Sequence, residues 1–282
     1  MKRTLASLIA VSTLLAACAE DAAPLNPRDV VLDAVQAVYE ADSLHQELEM
    51  EIAAAGERYT FSGDADVDNA NQEAAMTLDL GLLGGEMEMV MADGVVYMRS
   101  PVFQGAGTEW VSIDPTKLSP KEAAQFGGFG AGTTDPSAYA GLFAGVFDVE
   151  AAGEQEIDGV PTTHYTGTID LARVLENFAD VAGEEADEAT REQLVAAVEQ
   201  FETLGVEDRI RFHLWVDEEG FPRRQRITMD FGELVPGDED ATMDMTVDYS
   251  AFGEPVEIEV PPASRVTDMT EAIGAMGAMG GA

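Results

Sequence analysis

EMEMVMADGVVYMRS, residues 86–100, decides how this chain folds. Met87, Met89 and Met91 alternate with Glu86, Glu88 and Val90. Successive side chains of a strand point to opposite sides, so the three methionines share one face. Asp93-Gly94 is a turn pair, and GVVYMRS resumes as a second strand. Two strands joined by so short a turn pair antiparallel.

The same pattern extends in both directions. In LHQELEMEI (44–52) Leu44, Leu48, Met50 and Ile52 face one way, and Glu47, Glu49 and Glu51 the other. In RYTFSGDADV (58–67) Tyr59, Phe61, Gly63, Ala65 and Val67 share a face; in EAAMTLDL (73–80) Ala74, Met76, Leu78 and Leu80 do. TEWVSI (108–113) continues the series. Turn-like separators stand at Ala55-Gly56, Asn69-Ala70-Asn71, Gly84-Gly85 and Gln104-Gly105-Ala106-Gly107. The expectation is a six-strand antiparallel meander with one apolar face.

Before it, Asn26-Pro27 opens a helix, with Asn as N-cap and Pro at the first helical position. Val31, Val35 and Val38 recur at helical spacing, and the helix is expected to end near Asp42. After it, residues 114–145 break the rhythm with two short helical stretches around the glycine-rich GGFGAG (127–132). Strands resume over FDVEAAGEQEIDGVPTTHYTGTID (147–170). Two helical stretches follow, LARVLENFADVA and EATREQLVAAVEQFETLG, and then three strands in RIRFHLWVDEEG, FPRRQRITMDFGEL and ATMDMTVDYSAFG. The fold class is α+β: a long, curved antiparallel sheet with helices packed on its concave face, since a long sheet curls and its apolar face must be covered.

The N-terminus reads as a targeting segment. Lys2 and Arg3 precede an uncharged run from Leu5 to Ala17, too short to span a bilayer and suited to a signal peptide. Leu15-Ala16-Ala17-Cys18 reads as a lipobox, in which Cys18 is lipidated and becomes the new N-terminus; a plain signal with a stray cysteine is the other reading. Acyl chains hold such a protein to the extracytoplasmic face of the cell membrane, because stable anchoring takes more than one chain. Cys18 is the single cysteine, so no internal disulfide is available. The expected organisation is a lipoprotein signal peptide over 1–17, an acidic tether over 18–26, one folded domain over 27–262 and a tail over 263–282. That tail ends in GAMGAMGGA and is expected to fray for want of apolar periodicity.

The formal net charge of -39 argues against nucleic acid and against adsorption to anionic lipid, both of which would be repelled. Catalytic and metal motifs fail on inspection. Asp64-Ala-Asp66-Val-Asp68 lacks the Gly and Glu of a calcium loop, with Asn69 and Ala75 at those positions. GGFGAG lacks the Lys-Ser/Thr ending of a phosphate loop. His45, His164 and His213 have no ligand spacing, and no nucleophile elbow or Cys-His pair exists. No enzyme, metal or cofactor is expected. Arg223, Arg224 and Arg226 form the one basic cluster, either for cross-strand pairing with acids or as a contact for a phosphorylated head group or acidic partner. Of 13 methionines, Met50, Met76, Met87, Met89, Met91, Met98, Met229, Met243 and Met245 fall in expected strands. Met is flexible and polarizable, so it fills gaps in ordinary cores and also lines adaptable apolar cavities.

With these features in view, the chain resembles the actinobacterial LppX/LprG-type lipoproteins, similar in fold to the LolA and LolB carriers. The resemblance rests on GVVYMRSP (94–101), EWVSIDPTKL (109–118), IDGVPTTHYTGTIDL (157–171), LWVDEEGFPRRQRITMDF (214–231) and VDYSAFGEPVEIEVPPASRVTD (247–268). It implies a curved antiparallel half-barrel of about eleven strands capped by helices, a hydrophobic cavity, a lipid or glycolipid ligand and transport within the envelope, with an envelope transporter as partner. The resulting expectation is a monomeric, membrane-anchored lipid carrier. Phe61, Met76, Leu78, Leu80, Met87, Met89 and Met91 would line the cavity, and residues 114–145 and the helices would act as a lid. The alternative is an envelope scaffold with a closed core and no cargo.

Overall fold

The computed structural model describes residues 25–81, 85–101, 109–118, 145–170, 173, 195, 210–230 and 241–272. One helix, α1 (Pro27–Glu40), precedes twelve strands: β1 (Ser43–Ala54), β2 (Glu57–Asp68), β3 (Glu73–Asp79), β4 (Glu86–Ala92), β5 (Val95–Arg99), β6 (Trp110–Ile113), β7 (Val146–Ile157), β8 (Val160–Ile169), β9 (Ile210–Asp217), β10 (Pro222–Asp230), β11 (Thr242–Ser250) and β12 (Val266–Asp268). They form one curved, unclosed sheet in the order β12-β6-β5-β4-β3-β2-β1-β11-β10-β9-β8-β7. Two meanders, β1–β6 and β7–β11, therefore join along a central seam where β1 pairs with β11. β12 pairs parallel with β6, and every other pairing is antiparallel.

The hairpins form where the turn residues allow them. Asp93-Gly94 and Asp158-Gly159 both sit at positive φ (54° and 73°, 49° and 84°), as a two-residue type I′ turn requires. Ala55-Gly56 does the same at 56° and 76°. Ala55 holds a Cβ in the left-handed region, which costs roughly 1–2 kcal/mol. Ala55→Asn is expected to raise stability by about 0.5–1 kcal/mol, read as a higher urea midpoint at unchanged slope.

α1 starts as the sequence predicts. The Asn26 side chain accepts from the Arg28 N–H (3.2 Å), with Pro27 at the first position. It stops where Ala41 turns extended (φ -64°, ψ 135°). Val31, Ala34, Val35 and Val38 form its buried stripe. Val31, Ala34 and Val35 pack on Val146, Ile169, Ile210, Phe212, Leu214, Ile227 and Met229, and Arg28 Nε donates to the Val146 carbonyl (3.0 Å). Each large apolar side chain so buried contributes roughly 1.5–3 kcal/mol. A second cluster, Met89, Val96, Met98, Val111 and Ile113, lies in the first meander. A third, Val38, Leu44, Val247 and Tyr249, closes one end of the sheet.

The opposite face is polar. Glu47 stands directly across from Asp64 on one side and Asp248 on the other. The arginine cluster answers this charge. Arg224 binds Asp248 through two bonds (2.5 and 2.6 Å), Arg226 binds Asp244, and Arg223 binds the buried Asp217. Asp217 also accepts from the Glu219 and Phe221 N–H groups and so organises the β9–β10 turn. Cross-strand pairing is thus the role of these arginines, and the head-group reading is set aside because carboxylates of the same sheet occupy all three.

The structure extends past the expected boundary at 262. Residues 251–262 cross from the centre of the sheet to its edge, where Ala263–Arg265 makes a single 3-10 turn and β12 adds a twelfth strand. Arg265 pairs with Glu109, which also faces Arg99, fastening this edge. Pro115–Lys117 is a 3-10 turn where the 114–145 segment was expected to begin as helix, and Arg173 and Val195 are helical, as expected. GGFGAG and most of the expected helices over 114–145 and 171–204 lie outside the described residues.

Candidate functional site

Register places six of the seven expected lining residues, all but Leu80, on one face. Leu78 stands opposite Gly63 and Met87, and Met76 opposite Ala65 and Met89. Met91 stands opposite Ala74 and Val96, and Phe61 opposite Met50. Leu80 is one residue beyond β3, half-buried, with its N–H donating to the Gly85 carbonyl (2.9 Å). Their environments differ. Leu78 and Met89 are buried, whereas Phe61, Met76, Leu80, Met87 and Met91 are half-buried.

The face continues across the seam. Met50 lies between Phe61 and Met245, and Met245 faces Ile227. Ile52 lies between Tyr59 and Met243, and Met243 faces Met229. Met50, Ile52, Tyr59 and Phe61 are half-buried and belong to none of the three buried clusters. They form an apolar strip between the cluster under α1 and the cluster of β4–β6. β1 and β2 carry these four residues, flanked by Met243 and Met245 of β11 and by Met76 and Leu78 of β3, a span of about 15 Å at the usual strand spacing.

Two glycines shape this face. A Cβ on Gly63 would fall 2.6 Å from Leu78 Cδ2 and 2.3 Å from the Thr77 carbonyl. A Cβ on Gly167 would fall 2.5 Å from Phe212 Cε1. Their missing side chains let Leu78 and Phe212 lie across the neighbouring strand, thinning the wall on both sides of the strip.

No group of three or more His, Cys, Asp or Glu side chains able to hold a metal occurs among the described residues. The polar face holds one unusual pair. His164 Nε2 and His213 Nδ1 lie 3.0 Å apart, and His164 stacks on Trp215 with ring centroids at 4.3 Å. Burial, then the neighbouring His213, holds His164 below the usual imidazole range. Burial, then Arg226 and Arg211, does the same to His213 against the opposing pull of Asp244. At neutral pH one ring donates to the other. Both folded values lie below the unfolded one near 6.5, so acid protonates the unfolded chain first. Their contribution is complete above pH 6.5 and declines as pH falls through the folded values. Thermal scans from pH 7 to 5 should show a falling Tm, and His164→Gln with His213→Gln should flatten that slope.

The described residues form a long curved sheet with a helix on its apolar face and a methionine-rich strip. The chain belongs to the LppX_LprAFG lipoprotein family, whose profile matches residues 26–258. Such membership implies an envelope-associated, extracytoplasmic protein. Among the described residues no helix is long and apolar enough to cross a membrane. A Streptomyces griseus protein described as an uncharacterized 31.2 kDa protein in the rplA-rplJ intergenic region is 26% identical over 231 residues, 76% of this chain and 70% of that one. Lipoprotein LppX of Mycobacterium tuberculosis is similar in structure at 16% identity and TM-score 0.49, over 83% of this chain and 98% of that one. LprF from Mycobacterium bovis gives 17% and 0.49, over 84% and 97%.

The expected site omitted Met50, Ile52, Tyr59, Met243 and Met245. The alternation that marks them is present in the sequence, but their meeting depends on the β1–β11 seam.

Proposed function

We propose that the protein is a non-catalytic, membrane-anchored carrier that holds an acylated lipid or glycolipid on this strip. Cys18 would be the lipidated anchor, and Phe61, Met76, Leu78, Leu80, Met87, Met89 and Met91 would form the wall on the β2–β4 side. The half-buried apolar strip supports this reading most directly. A face so rich in Met adapts to chains of varied shape. A dozen methylenes moved from water onto it would gain on the order of 10 kcal/mol. The work is physical rather than chemical: the cargo exchanges water for the wall and is released when handed to an envelope transporter.

Native mass spectrometry tests the proposal, using the mature chain with Cys18→Ser purified from a lipid-containing host and then extracted with organic solvent. A retained mass that extracts as an acyl lipid is the expected result. A bare polypeptide, unchanged after incubation with envelope lipids, would replace the carrier with a closed-core scaffold.

A further inference from the structure

Three neighbouring strands each contribute one methionine to a single row. Met76 of β3 stands directly opposite Met89 of β4, and Met89 directly opposite Met98 of β5. Strand alternation and this register put all three on the apolar face. They also meet in one cluster. Met89 and Met98 are 7% and 9% exposed within it, and Met76 packs against it half-buried. Met87 and Met269 pack against the same cluster. Among the described residues no other row holds three methionines. Met50 and Met245 are flanked by Phe61 and Ile227, and Met243 and Met229 by Ile52 and Ile210.

Side chains directly opposite one another have Cβ atoms about 5 Å apart. A thioether sulfur lies two bonds beyond Cβ on a chain with three rotatable bonds, so the outer two methionines can lean over the middle one and bring three sulfurs to one point. The other members of the cluster, Val96, Val111, Ile113 and Leu118, are aliphatic. Three neutral, polarizable sulfurs with no oxygen or nitrogen donor beside them select a soft monovalent cation, Cu(I) or Ag(I), over the harder divalent ions. Cys18 is the single cysteine, so thioethers supply every other sulfur in the chain.

A positive charge sealed among apolar side chains costs several kcal/mol. Here half-buried Met76 and Met87 keep one side of the row in contact with water, and the net charge of -39 concentrates cations around the protein.

We propose that Met76, Met89 and Met98 form a three-thioether site for a soft monovalent metal ion, of which Cu(I) is the biological representative. The site goes beyond the carrier reading and needs no lipid. The ion binds without changing oxidation state, so no electron donor or acceptor takes part.

The test uses the mature chain with Cys18→Ser, which removes the one thiol, isotope-labelled at its methionine methyl groups and titrated with Ag(I), a redox-stable probe, under NMR observation. Expected is a single stoichiometric step that shifts the methyls of Met76, Met89 and Met98 together. Met89→Leu conserves volume and should leave Tm within a few degrees. It should weaken binding about 100-fold, the upper end of what even an outer-sphere partner is worth to a metal site. Met229→Leu, in the cluster under α1, should bind as the parent does. Competition with bicinchoninate should rank the same three proteins alike for Cu(I). Shifts spread over the methionines of all strands with no step, or equal affinity in Met89→Leu and the parent, would overturn the site and leave the row as core packing. A single step at the three methyls in a chain that neither retains nor takes up acyl lipid would leave the site standing and sink the carrier reading.

Discussion

Phe212→Ala is expected to remove about 3–5 kcal/mol of folding stability. Phe212 is 0% exposed, sits in the cluster beneath α1, and lays its ring over Gly167. Truncation leaves a ring-sized cavity that α1 cannot fill, because Arg28 and Asn26 fix its start. A loss of that size is a large share of the 5–15 kcal/mol of a typical domain. Gly167→Ala attacks the same contact from the other side, and its cost should be about 1–3 kcal/mol, as for an overpacked core. Combining Gly167→Ala with Phe212→Leu should cost less than the two separately, since the smaller side chain leaves room for the new methyl. Guanidinium unfolding of the four proteins reads this directly. Strictly additive losses would mean that the ring and the glycine do not act on one another.

Met50→Glu should abolish acyl-probe binding, by 100-fold or more, while shifting Tm by only a few degrees. Met50 lies midway across the strip, between Phe61 and Met245. Because it is half-buried, a carboxylate there can keep contact with water in the empty protein. With an acyl chain lying across it, that water is expelled, and an unpaired charge in apolar surroundings costs several kcal/mol. A 100-fold loss corresponds to about 2.7 kcal/mol, within that range. Titration with a fluorescent fatty acid, alongside a thermal scan, separates lost binding from lost folding. Unchanged affinity in a folded Met50→Glu variant would place the cargo elsewhere.

Much of this was legible locally. Leu44–Ile113 reads as a meander because each hairpin joins neighbours in sequence, and Asp93-Gly94 and Ala55-Gly56 carry their own turn preferences. The shared face of Met76, Leu78, Met87, Met89 and Met91 follows from alternation alone. Long-range register was not legible. Ile52 meets Met243 and Met50 meets Met245 across the seam, and no local preference specifies that partner. The site therefore read as one wall rather than two. For the same reason the His164–His213 contact stayed hidden: both residues occupy polar-face positions, and only the pairing of β8 with β9 brings them together. β12 escaped because Val266–Asp268 is three residues long and pairs parallel with a distant strand. A run that short has no period to read.

The seam also orders events during synthesis. The ribosome delivers β1 to β6 long before residues 242–250, which form the strand that must lie beside β1. Without those residues, β1 would leave a bare edge twelve residues long. Such an edge invites pairing with the wrong chain. Glu47, Glu49 and Glu51 alternate along that edge and place like charges opposite one another in any two copies that try to join. The same carboxylates later face Asp248, Thr246 and Asp244 in the finished sheet, where arginines of β10 relieve the repulsion. The acidic ladder thus disfavours pairing between two copies along this edge, and the arginines of β10 relieve its repulsion in the finished sheet.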